Sequence, residues 1–177
     1  MFSRKLVYCL LGSALCFSSL AASAQQQAAS QPNSNDPIDQ MHVPYGISVN
    51  LADAQRVVAA AGAFARKQNW EMSFAVVDTG GQLIYFERID GTENSSVDMA
   101  IGKAQTAALY RRPTKAFEDR LAQGGANLRV LGMKGVVPVS GGVPLVVGGR
   151  IVGAIGVSGG SSEEDGGAAQ AGAAALK

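Results

Sequence analysis

The helix that decides the fold is predicted from residues 94–117, which read NSSVDMAIGKAQTAALYRRPTKAF. Ser95 and Asp98 have the spacing of a helix capping box, and Pro113 lacks the N–H that a continuing helix needs. Small and apolar side chains recur between these signals at intervals of three and four residues, which predicts a buried face. The members of that face are Val97, Ala100, Ile101, Ala104 and Ala108.

A second face of this helix is chemically mixed, and it allows two interpretations. Its members are Met99, Lys103, Thr106 and Tyr110, followed at the C-terminal end by Arg111 and Arg112. Spacing alone favours a solvated face, on which the arginines would interact favourably with the negative end of the helix dipole. The alternative is a wall of a ligand pocket or of a subunit interface, because Gly102 and the alanines beside it allow another backbone to come close.

The N-terminus has the three regions of a secretory signal peptide. Arg4 and Lys5 precede an apolar run over residues 6–20, and small residues that end at Ala24 form a cleavage site. The run is short and is interrupted by serines, whereas a membrane anchor needs about 20 apolar residues. We therefore expect residues 1–24 to be removed, which would make the mature protein periplasmic or secreted.

The composition excludes two classes of site. The chain has 15 basic and 14 acidic residues, and no basic stripe alternates with aromatics, so we do not expect a nucleic-acid partner. Cys9 and Cys16 both lie in the predicted signal peptide, so the mature chain would have no disulfide and no thiolate metal site. Residues 25–46 are predicted to be a flexible linker rich in Gln, Ser, Asn and Pro. The one histidine, His42, lies there, where it is either incidental or a metal ligand.

The rest of the sequence predicts an α+β domain over residues 47–177. The expected helices are residues 51–69 with Asn50 as cap, a short helix after Thr114, and residues 163–176 with Ser162 as cap and Asp165 beside it. The expected strands are residues 74–77, 82–88, 144–147 and 150–157, and residues 136–139 suggest an edge strand or an extended segment, since proline cannot donate to a central ladder. Because hairpins and not helical crossovers join the strands, we predict a mainly antiparallel sheet of about five strands with helices packed on it.

Two motifs have both a structural and a chemical interpretation. Gly153, Gly156 and Gly159 lack the G-x-G-x-x-G spacing of a nucleotide site, so we interpret them as glycines that let a strand pack closely. The acidic run over residues 163–165 suits the positive end of the closing helix, and a carboxylate metal cluster is the alternative.

From about residue 51 to residue 176 the sequence resembles the GlcG/HbpS family of small haem-binding proteins. The resemblance rests on AVVDTGG (75–81), DMAIGKAQTA (98–107), RPT (112–114), GGVP (141–144) and GAIGVSG (153–159), followed by Asp165 and Ala171-Gly172. These segments follow one another through nearly all of the predicted domain. The resemblance implies a profilin-like α+β unit that assembles into symmetric homo-oligomers, up to an octamer.

The resemblance also implies a haem site near the helix predicted from residues 94–117 and the turn that follows it. The positions that match the family are Lys103, Arg112 and Thr114. The residue types nearby add Met99, Tyr110 and Arg111 as cofactor-binding candidates. Because the mature chain would have no cysteine, the candidate axial ligands of the haem iron are Tyr110, Met99 and His42, and Thr114 or a water is the remaining alternative.

Three functional hypotheses follow from these patterns. The first is an exported haem-binding protein, in which Arg111 and Arg112 bind the propionates of haem or another small anionic ligand, with a membrane sensor protein as a candidate partner. The second is an enzyme or accessory protein for a small organic acid or aromatic catabolite, with Asp98 and Lys103 as acid–base groups and Arg112 holding a carboxylate. The third is a structural or signalling homo-oligomer whose interface includes Gly102 and the neighbouring alanines of the helix predicted from residues 94–117.

Overall fold

The centre of the domain is an antiparallel sheet of four strands in the computed structural model, which describes residues 43–176. The strands are β1 (Ser73–Val77), β2 (Leu83–Arg88), β3 (Gly142–Val147) and β4 (Arg150–Ser158). Their order is β2-β1-β4-β3, so the two predicted hairpins meet through β1 and β4. The α+β class and the antiparallel sheet are therefore confirmed. The predicted signal peptide, most of the predicted linker and His42 lie outside the described residues.

The interpretation of residues 136–139 as a fifth, edge strand is wrong. Pro138 has no N–H to give to a strand ladder. The N–H of Val137 donates to the hydroxyl of Thr106 at 2.9 Å, so this segment lies against a helix and not beside a strand. The additional pairing of the sheet comes from an earlier part of the chain, where Tyr45 forms a short parallel bridge with Ile151.

Helices cover both faces of the sheet. They are α1 (Leu51–Lys67), α2 (Ser95–Leu109), α3 (Lys115–Ala122) and α4 (Ser162–Ala173), with 3₁₀ segments at Gly125–Gly132 and Ala174–Leu176. The helices α1 and α4 pack on one face, and α2 packs on the other. Within residues 43–176, no helix is long and apolar enough to cross a membrane.

The two faces of the sheet are packed differently. Phe74, Val76 and Ile155 point to α1 and α4, where larger side chains form the main core. Ala75 and Val77 point to α2, whose own buried residues on this side are mostly alanines. Side chains alternate along a strand, so the continuous buried run of β1 serves both faces. The small side chains bring α2 close to the sheet.

Gly156 sets the close approach between α2 and β4. A Cβ atom at this position would collide with the carbonyl oxygen of Ala100 and with the amide nitrogen of Ala104. The predicted role of this glycine in close packing is thereby confirmed. The close approach also lets the side chain of Lys103 reach the backbone of β4, where its nitrogen donates to the carbonyl oxygen of Val157.

The start of α1 agrees with prediction, whereas the start of α2 does not. Asn50 caps α1, and its side-chain oxygen accepts a hydrogen bond from the N–H of Asp53 at 2.9 Å. The predicted capping box of α2 is wrong, because Ser95 is already the first helical residue. The hydroxyl of Ser96 donates instead to the carbonyl oxygen of Glu93 at 2.6 Å.

The closing helix α4 has a capping box one residue earlier than predicted. The hydroxyl oxygen of Ser161 accepts from the N–H of Glu164, and the carboxylate of Glu164 accepts from the N–H of Ser161. The predicted pair of Ser162 and Asp165 is therefore wrong by one residue. The shift has a structural consequence, because Asp165 is not used by the cap and its carboxylate points into the core.

Candidate functional site

The middle of α2 contains a buried ion pair between Lys103 and Asp165. Lys103 is 1% exposed and Asp165 is 2% exposed, and Nζ of Lys103 lies 2.6 Å from Oδ2 of Asp165. Nζ also donates to the carbonyl oxygen of Val157 at 3.2 Å, and the N–H of Gly160 donates to Oδ1 of Asp165 at 2.9 Å. The pair thereby joins α2, β4 and α4. The solvated interpretation of this helix face is wrong, since Lys103 and Thr106 are both buried.

A glycine loop closes over the buried ion pair. Gly141 has a φ of 120°, and a Cβ there would lie 3.0 Å from Cβ of Asp165 and 3.1 Å from Cδ of Lys103. Gly142 donates its N–H to the hydroxyl oxygen of Thr114 at 2.8 Å, and Thr114 is fully buried. Two of the predicted cofactor-binding residues, Lys103 and Thr114, are therefore engaged in the interior by intramolecular contacts.

Burial and the lysine act on Asp165 in opposite directions. Burial raises the pKa of the Asp165 carboxyl above its ordinary value of 3.8, and the hydrogen bond and charge of Lys103 counteract part of this rise. An ion pair enclosed in this way has no contact with an external substrate unless the loop opens. Asp98 is exposed and lies about 140° around α2 from Lys103, so the structure does not bring the two proposed acid–base residues together.

The C-terminal end of α2 forms a Schellman motif. The N–H of Arg112 donates to the carbonyl oxygen of Ala107, and the N–H of Arg111 donates to that of Ala108, both at 3.3 Å. This motif ends the helix before Pro113 is reached, which corrects the predicted end. Arg111 has a left-handed backbone with a φ of 55°, at the position of the motif where glycine is favoured.

The two arginines at this end contact different aromatic rings. The guanidinium carbon of Arg111 lies 5.6 Å from the ring centroid of Tyr45, and that of Arg112 lies 5.6 Å from the ring centroid of Phe117. Nε of Arg112 donates to the carbonyl oxygen of Tyr110 at 2.9 Å. The rings of Tyr110 and Phe117 meet edge to face with centroids 5.5 Å apart. We refer to Tyr110, Arg111, Arg112 and Phe117 as the α2-end site.

Arg111 has no carboxylate partner among residues 43–176. None of the ion pairs in this part of the chain includes it. Its polar contact is a long hydrogen bond from Nη1 to the carbonyl oxygen of Val43, at 3.5 Å. A half-buried guanidinium without an internal anion can bind an external carboxylate or phosphate through charge-assisted hydrogen bonds.

The α2-end site contains three of the six predicted cofactor-binding residues. Met99 lies on the first turns of α2, about 16 Å along the helix axis from Tyr110. Lys103 and Thr114 are the two that the glycine loop encloses. His42 lies outside the described residues, but the next residue of the chain, Val43, contacts the site through Arg111.

Two residues of these sites were not predicted to have such roles. Asp165 was interpreted as part of a helix cap, and a lysine beside the small residues Gly102 and Ala104 of the helix was the available sign of a buried carboxylate partner. Tyr45 lies in the predicted linker, and its hydrogen bond to α2 spans 63 positions of the chain. Local spacing contains no sign of so distant a contact.

The acidic run at residues 163–165 is used by intramolecular contacts. Glu164 belongs to the cap of α4, and Asp165 belongs to the buried ion pair. The part of the chain that the structure describes contains no group of three or more His, Cys, Asp or Glu side chains that could hold a metal ion. The alternative of a carboxylate metal cluster at this run is therefore not supported.

Comparisons with known proteins find relatives over most of the described domain. Residues 49–174 match the family model described as "Haem degrading protein HbpS-like". Protein GlcG of Escherichia coli (strain K12) is 39% identical over 105 residues, which are 59% of this chain and 77% of GlcG. The sequence likeness therefore covers α1 to α4 and includes both the buried ion pair and the α2-end site.

Two solved structures share the fold. The crystal structure of a double mutant of HbpS from Streptomyces reticuli has a TM-score of 0.68 at 34% identity, and the match covers 75% of this chain and 89% of that chain. The crystal structure of a PduOC complex with haem has a TM-score of 0.67 at 28% identity, and the match covers 74% of this chain and 96% of that chain. The similarity thus extends over nearly the whole of each neighbour.

Proposed function

The chain belongs to the HbpS-like family, and from this premise we propose that it is an exported haem-binding protein whose α2-end site binds the haem propionates. The family description names haem, and one structural neighbour is a haem complex. The observation in this chain that carries the proposal is Arg111, a half-buried cation without a carboxylate partner among residues 43–176. Another small ligand with carboxylates would use the same groups.

The α2-end site combines the charge and the apolar surface that suit haem. Arg111 and Arg112 offer two guanidinium groups, and each charge-assisted hydrogen bond contributes about 1.5–3 kcal/mol. Leu109 at the same helix end is 52% exposed. A planar apolar macrocycle that covered this side chain would gain about 25 cal/mol for each Å² buried.

Tyr110 and His42 are the axial ligand candidates whose chain positions suit this site. The Tyr110 hydroxyl donates to the carbonyl oxygen of Lys134 at 2.9 Å, which leaves lone pairs on its oxygen. His42 is bonded to Val43, which contacts Arg111. Met99 lies about 16 Å away along α2, so it would serve a different site. Bound haem would supply a redox-active iron to this end of the domain.

A haemin titration of residues 25–177, followed by Soret absorbance, tests the proposal. We expect saturable, stoichiometric binding, and a Kd raised about 100-fold in the double variant Arg111→Ala, Arg112→Ala. Arg88→Ala is the control for a lost positive charge, because it removes one arginine, where the double variant removes two, from the end of β2 that is remote from the β1–β2 turn beside α2. A non-saturating change, or equal affinity of the double variant and the wild type, would contradict the proposal.

The spectrum of the complex identifies the iron ligand. Tyr110→Phe removes the phenolic oxygen, and His42→Ala removes the imidazole. We expect one of these two variants to change the ligand-field bands while the Kd changes less than in the double arginine variant. A spectrum that stays the same in both variants would exclude both residues as axial ligands.

Haem degradation is a second candidate function, because the family description names it. Ascorbate added in air to the haem complex decides between binding and degradation. A progressive loss of the Soret band with release of iron to a chelator would show degradation. A stable Soret band over the same time, with free haemin as the control, would show binding without turnover.

We also propose that the protein acts outside the cytoplasm, with a membrane sensor protein as its partner. The predicted signal peptide over residues 1–24 supports export, and the sensor partner is an expectation from the resemblance to the GlcG/HbpS family. We expect a C-terminally tagged chain to be recovered outside the cytoplasm with its N-terminus near Gln25. Recovery of the full-length chain from the cytoplasm would contradict export.

A further inference from the structure

The segment that precedes α1, at Tyr45 and Gly46, packs beside the α2-end site and is hydrogen-bonded to both α2 and β4. The hydroxyl of Tyr45 donates to the carbonyl oxygens of Ala108 at 2.9 Å and Leu109 at 3.3 Å. The backbone of this segment is held by β4, because the N–H of Gly46 donates to the carbonyl oxygen of Ile151 at 2.8 Å. The segment lies within the stretch that the sequence assigns to the linker, but it is attached to both the sheet and α2.

Tyr45 makes two separate interactions at the end of α2. Its hydroxyl donates to the carbonyl oxygen of Leu109, which the last turn of a helix leaves without an intrahelical donor, and to that of Ala108, which also accepts from the N–H of Arg111. Its ring centroid lies 5.6 Å from the guanidinium carbon of Arg111, within the range of a cation–π contact. One side chain therefore holds both the helix end and the cation that projects from it.

The side chain of Arg111 is positioned by contacts with the segment before α1. Its left-handed backbone carries its side chain to Tyr45, whereas the next side chain, Arg112, contacts Phe117. A long arginine side chain loses rotamer freedom when it binds a ligand, and a neighbour that orders it beforehand reduces that cost. Among the described residues, the ring of Tyr45 and the carbonyl of Val43 are the groups that restrain it.

We propose that Tyr45 is a positioning residue of the α2-end site. Its ring preorganises Arg111 to bind a carboxylate of the ligand, and its hydroxyl fixes the helix end from which Arg111 projects. The inference rests on the proposed function, because it concerns the same arginine. It adds a residue that precedes the family match, which begins at residue 49.

Two variants of Tyr45 separate the ring from the hydroxyl. Tyr45→Leu removes both groups and should raise the Kd for haemin about fivefold. Tyr45→Phe keeps the ring, so it should bind haemin within about twofold of the wild type while unfolding at a lower temperature. Tyr85→Phe is the matched control, because it removes a half-buried hydroxyl on β2 and should leave the Kd unchanged. A Tyr45→Leu protein that binds haemin as tightly as the wild type would overturn the proposal.

A double-variant comparison distinguishes positioning from a general structural effect. In an Arg111→Gly background, Tyr45→Leu should cause no further loss of affinity, because the residue that Tyr45 positions is absent. The Arg111→Gly protein keeps Arg112, so its weaker binding remains measurable. A further loss of the same factor in that background would show that Tyr45 acts through the fold alone, and it would overturn the proposal.

An NMR measurement without haemin makes the proposal independent of the proposed function. The side-chain Nε–H resonance of Arg111 is assigned by its absence in Arg111→Gly. We expect the Tyr45 ring to shift this resonance in the wild type, and Tyr45→Leu to return it to the position of a solvated arginine. If haemin does not bind, the proposed function fails and this resonance still decides the positioning. An identical resonance in the wild type and Tyr45→Leu would overturn the proposal.

Discussion

The cation in the middle of α2 is buried and paired with a carboxylate, whereas the cation at the end of α2 is half-buried and has no carboxylate partner among the described residues. Lys103 is buried and lies 2.6 Å from the carboxylate of Asp165, with a backbone carbonyl as its second acceptor. Arg111, about 12 Å further along the helix axis, is half-buried and contacts a tyrosine ring and a distant carbonyl. Lys103 lies within α2 and Arg111 lies just after its end, and the two cations differ in burial and in whether the described part of the chain supplies an anion.

The difference shows which cation can serve a ligand. A charge that leaves water completely must find a partner inside the protein, since its desolvation costs several kcal/mol. Lys103 therefore uses its charge to hold α2, β4 and α4 together. Arg111 keeps partial contact with solvent and has no carboxylate partner in the described part of the chain, so its charge is available to an anion from outside. The candidate anion-binding site is therefore located by asking which basic side chain lacks an internal carboxylate partner, and not by counting the basic residues on a helix face.

Removal of Lys103 should have the largest effect on stability. Lys103→Met leaves the Asp165 carboxylate buried without its cation, and such a change costs about 3–5 kcal/mol. Urea denaturation at pH 7 measures the loss. Because the change lies in the interior, the haemin Kd of the folded variant should stay near that of the wild type.

The control for Lys103→Met is the double variant Lys103→Met, Asp165→Asn. It removes both charges and keeps a side-chain oxygen at residue 165 for the N–H of Gly160. We expect it to recover most of the lost stability, because no unpaired charge remains. If the single and double variants were equally unstable, packing of the lysine stem and not its charge would be the source of the effect.

Arg111→Gly should separate binding from stability at the other end of α2. Glycine adopts a left-handed backbone without the cost of about 1 kcal/mol that a residue with a Cβ pays there. We therefore expect an unfolding free energy at least equal to that of the wild type, and a haemin Kd raised about tenfold or more. Thermal unfolding and the Soret titration measure the two effects.

Arg112→Gly is the stability control for that variant. Residue 112 does not have a positive φ, so glycine there brings an entropic cost of about 0.5–1 kcal/mol, and it also removes the contacts of the Arg112 side chain with Phe117 and with the carbonyl oxygen of Tyr110. The two glycine variants should thus differ in the sign of their stability change. A clear destabilisation by Arg111→Gly would mean that Arg111 is kept for the fold.

Much of the fold could be predicted because its signals are local. The Asn50 cap and both glycine hairpins depend on residues a few positions apart, and each appears where its pattern predicts it. The strand at residues 136–139 failed because a tertiary contact decided it: the N–H of Val137 is taken by Thr106 of α2. A segment with strand propensity forms a strand only when a neighbouring edge is the best partner for its backbone.

The candidate site was predictable only where its residues adjoin in sequence. Tyr110, Arg111 and Arg112 are consecutive, so their cationic and aromatic character was visible. The contribution of Tyr45 and the removal of Lys103 from the surface both depend on contacts across more than 60 positions. The one-residue shift of the α4 cap, which turns Asp165 inward, lies within the uncertainty of any boundary predicted from spacing.

The smallest expected effect is the pH dependence of the buried ion pair, and it tests which influence on Asp165 is stronger. Burial raises the pKa of Asp165 above 3.8, against the opposing effect of Lys103. A carboxyl whose pKa is higher in the folded chain favours folding when it is protonated, so its contribution is full below the ordinary pKa and is lost as the pH rises through the folded value.

The stability of the wild type should therefore decline, relative to the double variant Lys103→Met, Asp165→Asn, as the pH rises above the ordinary pKa of 3.8 and through the folded value. Neither variant side chain titrates in this window, so the difference between the two proteins reports Asp165. Urea denaturation at several pH values measures it. If attraction to Lys103 outweighed burial, the folded pKa would lie below 3.8 and the stability difference would instead fall as the solution is acidified. That outcome would make the ion pair a source of net stability at neutral pH, and the contrast with the unpaired Arg111 would then be one of energy as well as position.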